Sequence, residues 1–172
     1  MAKVSKVACI IAAGFEDSEF RIPYDRLTQA GFPVDIIGAE AGQELKGMSG
    51  KETIKTTHAI GSVKPEDYQE LLIPGGHSPD QLRGDKRFVE FVQKFDALKR
   101  PVAAVCHGPQ LLIAAGLVKG RTLTAWKTIQ EDLKLMGANV KDEPVVTDQN
   151  WITSRKPEDL NAFSEAAVKA LR

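Results

Sequence analysis

Short apolar runs alternate with amphipathic stretches along most of the chain, and this alternation restricts the fold more than any other feature. The apolar runs are "KVACIIA", "PVDIIG", "YQELLIPGG" and "PVAAV", and the amphipathic stretches are "SEFRIPYDRLTQAG", "KRFVEFVQKFDALK" and "PQLLIAAG". Continuous apolar runs are typical of strands that helices cover on both faces. The order of the runs therefore predicts an α/β protein with a parallel sheet.

The remaining segments carry weaker patterns. Between Gly42 and Thr57, two glycines punctuate β-branched residues, which indicates a hairpin or ribbon extension. The last part of the chain contains "TLTAW", "PVVTDQNWITS" and a closing helix over residues 157–171. A chain of 172 residues can bury one core without a disulfide or a metal, so we expect a single domain over residues 1–172.

The charge balance limits the classes of partner. The chain has 23 basic and 23 acidic side chains and no tract of like charges, so it lacks the field that attracts nucleic acids or membranes nonspecifically. A small substrate is the better expectation. The N-terminal apolar stretch covers only residues 7–13 before two acidic residues, which is too short for a membrane span and wrongly bounded for a secretory signal. We expect a cytoplasmic protein with two free thiols. No spacing of metal ligands and no phosphate-binding glycine loop occurs in the sequence, so we predict neither a metal nor another cofactor.

The stretch "RPVAAVCHGPQLLIAAG" is the strongest candidate for a reactive site. An apolar strand ends at Cys106, and a helix-like pattern begins almost at once. Gly108 would permit the tight bend, and Pro109 suits the first turn of a helix. These are the parts of a nucleophile elbow, in which a strained turn presents one reactive side chain. A thiol at a helix N-terminus is expected to have a lowered pKa, so the sequence predicts that Cys106 is partly thiolate near neutral pH.

A buried structural thiol is the alternative interpretation, because cysteine is among the most buried residue types. We apply that interpretation to Cys9, which lies inside an apolar run without a turn or a polar neighbour. Cys106 differs because His107 and the turn accompany it.

Two kinds of proton-transfer partner are open for Cys106. The pattern Cys-x-Gly-x-Gln also occurs in the elbow of class I glutamine amidotransferases, which use a histidine far downstream. Here the three histidines are His58, His77 and His107, so no histidine follows the elbow. The sequence therefore argues against glutamine hydrolysis by that mechanism, although it is compatible with the same fold. The base is then His107 or a carboxylate from another loop.

Glu16 in "AGFEDSEF" is the carboxylate we favour, because it lies where the first strand gives way to the first helix. A protonated Glu16 could donate a hydrogen bond to the thiolate. The alternative is that the acidic residues only cap the helix, and we apply that interpretation to Asp17, Ser18 and Glu19.

The loop "LLIPGGHSPDQLRGD" places Gly75 and Gly76 directly after an apolar strand. Two glycines allow the backbone to approach a ligand and to direct N–H groups at a developing oxyanion. The same dipeptide is also ordinary turn chemistry. We interpret His58 as structural or exposed.

Taken together, the motifs resemble the ThiJ/PfpI superfamily, and specifically its PfpI-like branch. The similarity runs nearly end to end through "FEDSEF", "LLIPGGHSPDQLRGD", "VAAVCHGPQLLIAAGLVKGRTLTA" and "WITSRKPEDL". It implies a flavodoxin-like three-layer sandwich with a mainly parallel central sheet and a nucleophile elbow. It also implies that Glu16 contacts the sulfur of Cys106 and that Gly75 and Gly76 form the oxyanion pocket.

The resemblance implies further site residues and an assembly. Asp80 occupies the position from which members approach the histidine of a neighbouring subunit, where they often carry glutamate. Trp126 stands where members have an aromatic pocket wall, and Tyr24 would line the same cavity. A site shared between subunits implies a homodimer or a hexamer.

The resemblance implies three possible functions, and the residues rank them. The first is a stress-related, cysteine-dependent enzyme acting on reactive carbonyls, either a glutathione-independent glyoxalase or a deglycase of proteins or nucleotides, whose substrate is a small carbonyl compound or a glycated amine or thiol. The second is an intracellular cysteine peptidase, which ranks lower because a histidine adjacent to its nucleophile has little freedom to align. The third is a redox-sensing stress protein or chaperone, since an accessible thiolate can be oxidised.

Overall fold

The computed structural model describes residues 4–172. Its strands, in chain order, are β1 (Val7–Ile10), β2 (Val34–Gly38), β3 (Glu44–Lys46), β4 (Thr53–Lys55), β5 (His58–Ala59), β6 (Glu70–Ile73), β7 (Val102–Val105), β8 (Thr122–Leu123), β9 (Asn139–Val140), β10 (Val145–Asp148) and β11 (Trp151–Ser154). Its helices are α1 (Asp17–Gln29), α2 (Ser78–Leu82), α3 (Lys86–Ala97), α4 (Gln110–Ala114), α5 (Lys127–Leu135) and α6 (Leu160–Lys169).

Seven strands form the central sheet, in the order β10-β11-β7-β6-β1-β2-β5. All neighbours are parallel except β10 and β11, which form an antiparallel hairpin at one edge. The predicted, mainly parallel sheet is therefore confirmed. Its apolar runs are fully buried because successive side chains point into two different layers.

Helices cover both faces of this sheet and complete a three-layer sandwich. One core cluster joins Ala8 and Ile10 of β1 to apolar residues of α3, α4 and α5. The other joins Val7 and Cys9 of the same strand to apolar residues of α1 and α6. Cys9 is fully buried in this second cluster, in agreement with its structural interpretation.

The extension predicted between Gly42 and Thr57 is a hairpin. Strands β3 and β4 pair antiparallel outside the central sheet, with Leu45 opposite Ile54. Both of these side chains are buried and join the core cluster under α1. The hairpin is thereby packed beside the first turn of α1.

Within residues 4–172, no helix combines the length and the apolar character that crossing a membrane requires. No group of three or more metal-ligating side chains occurs in the same part of the chain.

Candidate active site

The carboxyl ends of β1, β6 and β7 lie at one edge of the sheet, because these strands are parallel neighbours. The loops after β1 and β6 are joined by backbone hydrogen bonds. Glu16 N–H donates to the Gly75 carbonyl at 3.1 Å, and His77 N–H donates to the Gly14 carbonyl at 2.8 Å. The structure therefore brings the first two predicted loops together, beside the cysteine turn after β7.

Cys106 occupies the strained position that an elbow requires. Its φ is +62°, in the left-handed region that residues other than glycine rarely adopt. The turn is held by hydrogen bonds from Cys106 N–H to the Ser154 carbonyl at 3.0 Å and from Gly108 N–H to the Val105 carbonyl at 2.8 Å. A Cβ at position 108 would lie 2.6 Å from the Ile73 carbonyl oxygen, so the bend admits only glycine there. The predicted elbow is confirmed.

The carboxyl that meets the sulfur belongs to Glu19, so the predicted contact from Glu16 is wrong. The Glu16 side chain accepts hydrogen bonds from Glu19 N–H at 2.9 Å and from the Ser18 hydroxyl, and it thus caps α1. Glu19 lies one helical turn further on, is fully buried, and interacts with the Cys106 thiol. Glu16 therefore caps the helix, and Glu19 interacts with the thiol, which is the reverse of the expected roles. The reason is that the Glu16 side chain turns back to accept from the helix backbone.

Gly75 has a different role from the one predicted. Its N–H donates to Glu19 Oε1 at 2.9 Å, so this donor orients the buried acid and is not free to bind an oxyanion. The other carboxyl oxygen of Glu19, Oε2, is buried and has no hydrogen-bond partner within residues 4–172. Gly76 has a φ of +78°, and its N–H donates to no acceptor in the described part of the chain. Of the two glycines, only Gly76 has a free N–H among the described residues, so the predicted oxyanion donor is Gly76 alone.

The two acidic groups at the elbow both bind protons more tightly than usual. Burial, followed by the charge of Glu16, raises the pKa of Glu19 to about 8. Burial, followed by the proximity of the Glu19 carboxylate, raises the pKa of the Cys106 thiol well above its ordinary range. The predicted lowering of the Cys106 pKa is thus wrong for the free protein. Helix α4 has only five residues and begins four residues after Cys106, so its dipole does little at the sulfur.

His107 is the base nearest to the thiol. Its Nδ1 lies 3.3 Å from Cys106 Sγ, although the two residues are adjacent in sequence. Burial, with a contribution from His77, lowers the pKa of His107, so its ring is neutral near pH 7 and can accept a proton. No hydrogen bond to its Nε2 occurs within residues 4–172.

The aromatic side chains predicted at the site lie apart. Trp126 is half-buried, and its ring stacks on His107 with ring centroids 6.4 Å apart. Its backbone N–H donates to the Cys106 carbonyl at 2.9 Å. It lines a cavity of about 460 Å³. Tyr24 packs against Phe20 and Arg21 on α1 and is not part of that cavity, so its predicted place there is wrong.

The other polar residues of the loops are more exposed. Asp80 lies on α2 and pairs with Arg83, and within residues 4–172 it forms no hydrogen bond or ion pair with His107. His58 is half-exposed near Asp35, as expected of a structural or exposed histidine.

A strained cysteine at the carboxyl edge of a parallel sheet, with a buried carboxylic acid against its sulfur, defines an α/β protein of the nucleophile-elbow class. Residues 5–170 match the DJ-1/PfpI family, and the chain belongs to that family. The resemblance found in the sequence motifs is therefore confirmed.

Relatives and solved structures extend this finding over almost the whole chain. The chain is 47% identical over 167 residues to "Protein/nucleic acid deglycase 2" of Escherichia coli, which covers 96% of this chain and 97% of that protein. It is 44% identical over 167 residues to "Putative cysteine protease YraA" of Bacillus subtilis, covering 97% and 98% of the two chains.

Two solved structures show the same fold. The two-domain protein from Anabaena variabilis, with DJ-1/ThiJ/PfpI-like and ferritin-like domains, is 38% identical at a TM-score of 0.95, over 97% of this chain and 48% of that one. Drosophila melanogaster DJ-1beta is 24% identical at a TM-score of 0.90, over 98% of this chain and 90% of that one, and it shows the fold alone.

Proposed function

We propose that this protein is a cysteine-dependent enzyme that removes reactive carbonyls, acting on a 2-oxoaldehyde or on its early adducts with amines and thiols. The observation that carries the proposal is the placement of a carboxylic acid and a neutral imidazole on the same strained thiol. The similarity to a protein named a protein/nucleic acid deglycase supports the same class of substrate.

The first step uses both neighbours of Cys106. The thiol adds to the aldehyde carbon while its proton passes to His107 Nδ1, which lies 3.3 Å away. Glu19 donates its own proton to the carbonyl oxygen, since its raised pKa of about 8 keeps it protonated near neutral pH. The products of this step are a hemithioacetal, an imidazolium and a carboxylate. A resting thiol with a raised pKa is compatible with this step because the base takes the proton as the bond forms.

The second step returns the protons. The Glu19 carboxylate takes the proton from the hemithioacetal carbon while the His107 imidazolium donates its proton to the neighbouring ketone oxygen, which gives an enediol. Glu19 then returns its proton to the former ketone carbon and His107 takes the proton of the former aldehyde's hydroxyl, so a 2-hydroxy thioester forms without an external oxidant. Water attacks the thioester and loses a proton to the Glu19 carboxylate, while the imidazolium returns its proton to the leaving sulfur. The 2-hydroxy acid is released, and the thiol, the neutral imidazole and the protonated Glu19 are restored. Only 7% of Cys106 is exposed, so a small aldehyde end reaches the sulfur and a bulky group remains outside.

A peptidase is the second candidate, and one observation favours it. The imidazole of His107 reaches the sulfur, so the alignment expected to be difficult is present. Peptide cleavage also needs a third residue that orients the base, and within residues 4–172 none hydrogen-bonds its Nε2. The peptidase would therefore need Asp80 of a neighbouring subunit. The redox-sensing alternative is weakened by the raised pKa of the Cys106 thiol, whose leading cause is burial, because the thiolate is the form that peroxides oxidise.

The test is lactate formation from methylglyoxal in an amine-free buffer. We expect Cys106→Ser and Glu19→Gln to lower kcat/KM by about 100-fold or more, since general acid–base groups contribute about 10²–10⁴-fold. Glu16→Gln is the matched control, because Gln keeps an acceptor for the helix cap, and it should stay within about threefold. Full turnover in Glu19→Gln, or a loss confined to Glu16→Gln, would overturn the assignment. Cleavage of denatured casein by the wild type, without lactate formation, would favour the peptidase.

A further inference from the structure

A groove of about 460 Å³, within the range of small-molecule sites, is lined by Trp126, whose ring stacks on His107 beside the nucleophile. Cys106 and His107 do not themselves line it. One wall is formed by Trp126, Lys127, Gln130 and Asp142, and the other by residues 155–158. We call it the Trp126 groove.

Both walls of the Trp126 groove reach the catalytic residues. On one side, the Trp126 ring stacks on His107 and the Trp126 backbone N–H donates to the Cys106 carbonyl. On the other side, residues 155–158 follow β11, whose last residue, Ser154, accepts the hydrogen bond from Cys106 N–H. Glu158 lies near enough to add, after burial and Glu16, to the raised pKa of Glu19. We therefore expect the part of a substrate that extends away from the sulfur to enter the groove.

Several polar groups of the groove are already satisfied by internal partners. Arg155 is held by Asp159 at 2.9 Å and by Asp142 at 3.2 Å. Gln130 donates to the Ala125 carbonyl at 3.0 Å and to Asp142 at 3.1 Å. These residues fix the shape of the groove and have little capacity left for a ligand.

Two ammonium groups remain available to a ligand. Lys127 and Lys156 form no ion pair within residues 4–172. The Lys127 Nζ lies 5.7 Å from the centroid of the Trp126 ring, so the indole supports the cation at the groove wall. Glu158, the remaining carboxylate without an ion pair there, lies on the side of Glu19 and disfavours an anion near the reacting carbon.

From this arrangement we infer that the Trp126 groove binds an anionic group of the substrate, a carboxylate or a phosphate several bonds away from the reacting carbon, through Lys127 and Lys156. The inference rests on the proposed function and narrows its substrate class to carbonyl adducts of anionic small molecules. The ring of Trp126 already has His107 and Lys127 beside it, so charge, and not base stacking, is the basis of recognition.

The test compares matched neutral and anionic substrates. The carboxylate pair consists of methylglyoxal adducts of N-acetylcysteine and of N-acetylcysteine amide, and the phosphate pair consists of adducts of guanosine 5′-monophosphate and of guanosine. We expect the wild type to prefer the anionic member of at least one pair in kcat/KM. The double variant Lys127→Gln/Lys156→Gln should reduce that preference by about fivefold, the range expected for two partly exposed charge contacts. The pair that responds identifies the source of the anion.

Lys134→Gln is the matched control, since Lys134 lies two turns further along α5, outside the groove, and pairs with Glu131 at 3.0 Å. It should leave the preference unchanged. An equal preference in the wild type and the double variant, for both pairs, would overturn the inference.

A binding measurement separates this inference from the proposed function. Trp126 is partly exposed at the groove, whereas Trp151 is fully buried. Ligands in the groove should therefore quench the fluorescence of Trp126, with Trp126→Phe as the reference. Quenching by N-acetylcysteine or guanosine 5′-monophosphate that is lost in the double variant supports the groove even if no substrate is turned over. If substrate is turned over without such quenching and without a preference for the anionic member, the proposed enzymatic activity is supported and anion binding in the Trp126 groove is refuted.

Discussion

At the scale of single residues, Glu19 is the group on which the chemistry depends. Its side chain is fully buried beside Phe20, and its one regular hydrogen bond comes from the Gly75 N–H. Ionising a carboxyl in such a place is unfavourable because little polar surrounding replaces water. The acid therefore stays neutral at a pH where an exposed glutamate is charged, and it can donate a proton to a substrate oxygen.

The raised pKa of Glu19 predicts a pH-dependent stability. The folded protein holds this proton up to about pH 8, whereas the unfolded chain releases it near its ordinary value of 4.5. The free energy of unfolding should therefore fall between these two values as pH rises, and level off above them. Glu19→Gln removes this contribution, so relative to the wild type it should gain at least about 1.4 kcal/mol between pH 5 and pH 8.5, the free energy of one pKa unit.

Urea unfolding of both proteins at the two pH values measures this difference directly. Subtracting the two proteins cancels other buried acids, such as Glu70, whose pKa burial also raises. Glu16→Gln removes the charge that adds to the effect of burial on the pKa of Glu19, so it should reduce this pH dependence without abolishing it. An identical stability difference between wild type and Glu19→Gln at both pH values would show that Glu19 titrates normally.

The position of Glu19 could have been predicted from the helix period, whereas its pKa could not. Glu19, Pro23 and Leu27 recur every four residues and form a buried stripe on α1, so a carboxyl among them has to point inward. Glu16 precedes the helix, where side chains turn back to cap it. Local sequence favoured Glu16 because it is nearer to the strand end. The sequence predicted a lowered pKa for the Cys106 thiol, whereas burial raises it. That burial depends on neighbouring loops, which no local sequence pattern reveals.

At the scale of elements, the β3–β4 hairpin holds the first turn of α1 in place. Asp17 is buried and accepts hydrogen bonds from Ser49 N–H at 2.9 Å and Glu52 N–H at 2.7 Å. Backbone bonds add to this attachment, from Gly14 N–H to the Lys46 carbonyl and from Met48 N–H to the Phe15 carbonyl, both at 2.8 Å. The hairpin thus supports the turn that carries Glu19.

Removing the Asp17 carboxylate should therefore affect both stability and activity. Although burial opposes it, hydrogen bonding by Ser49 and Glu52 lowers the pKa of Asp17, so its contribution is present above pH 3.8 and is lost as pH falls below that value. We expect Asp17→Ala to cost about 1–3 kcal/mol at pH 7, the usual cost of unpaired buried donors. Turnover should also fall because Glu19 loses its support.

Urea unfolding and methylglyoxal turnover measure the two effects. Asp25→Ala is the control on the same helix, since Asp25 pairs with Arg21 at the surface, and it should change stability by less than about 1 kcal/mol. If Asp17→Ala and Asp25→Ala change stability and turnover equally, the contact between Asp17 and the hairpin does not support the site.

Most elements follow from local pattern, and the exceptions have physical causes. The apolar runs form the predicted strands because helices cover both faces, and the hairpin lies where glycines bound it. The pattern "PQLLIAAG" extends over eight residues, yet α4 spans only Gln110–Ala114. The chain leaves the helix at Gly116, with a φ of +74°, and Leu117 N–H bonds back to the Leu112 carbonyl.

At the scale of the whole molecule, the candidate site lacks, within residues 4–172, a group that orients His107. His107 approaches the sulfur through Nδ1, and in the described part of the chain no acceptor bonds its Nε2. Asp80 is exposed on α2, where its partner is Arg83 of the same helix. We propose that Asp80 of a second subunit meets His107, which would make a dimer or a larger ring the active form.

Mixing two inactive variants tests whether the site is shared. Cys106→Ala lacks the nucleophile, and Asp80→Asn should lower kcat by about tenfold or more if its carboxylate orients the imidazole. In a mixed dimer, one site combines an intact Cys106 with an intact Asp80 from the opposite subunit, and the other site has neither. Equal amounts of freely exchanging subunits give half mixed dimers, so about a quarter of the wild-type activity should return.

Sedimentation of the wild type fixes the subunit number, and lactate formation after mixing and after brief mild denaturation measures the recovery. Asp80→Asn mixed with wild type provides the reference for subunit exchange. A monomer at assay concentration, or full activity of Asp80→Asn alone, would place all the necessary groups within one chain. In that case Nε2 of His107 would need only water, and the carbonyl chemistry would proceed with the thiol, the imidazole and Glu19 that the single subunit already brings together.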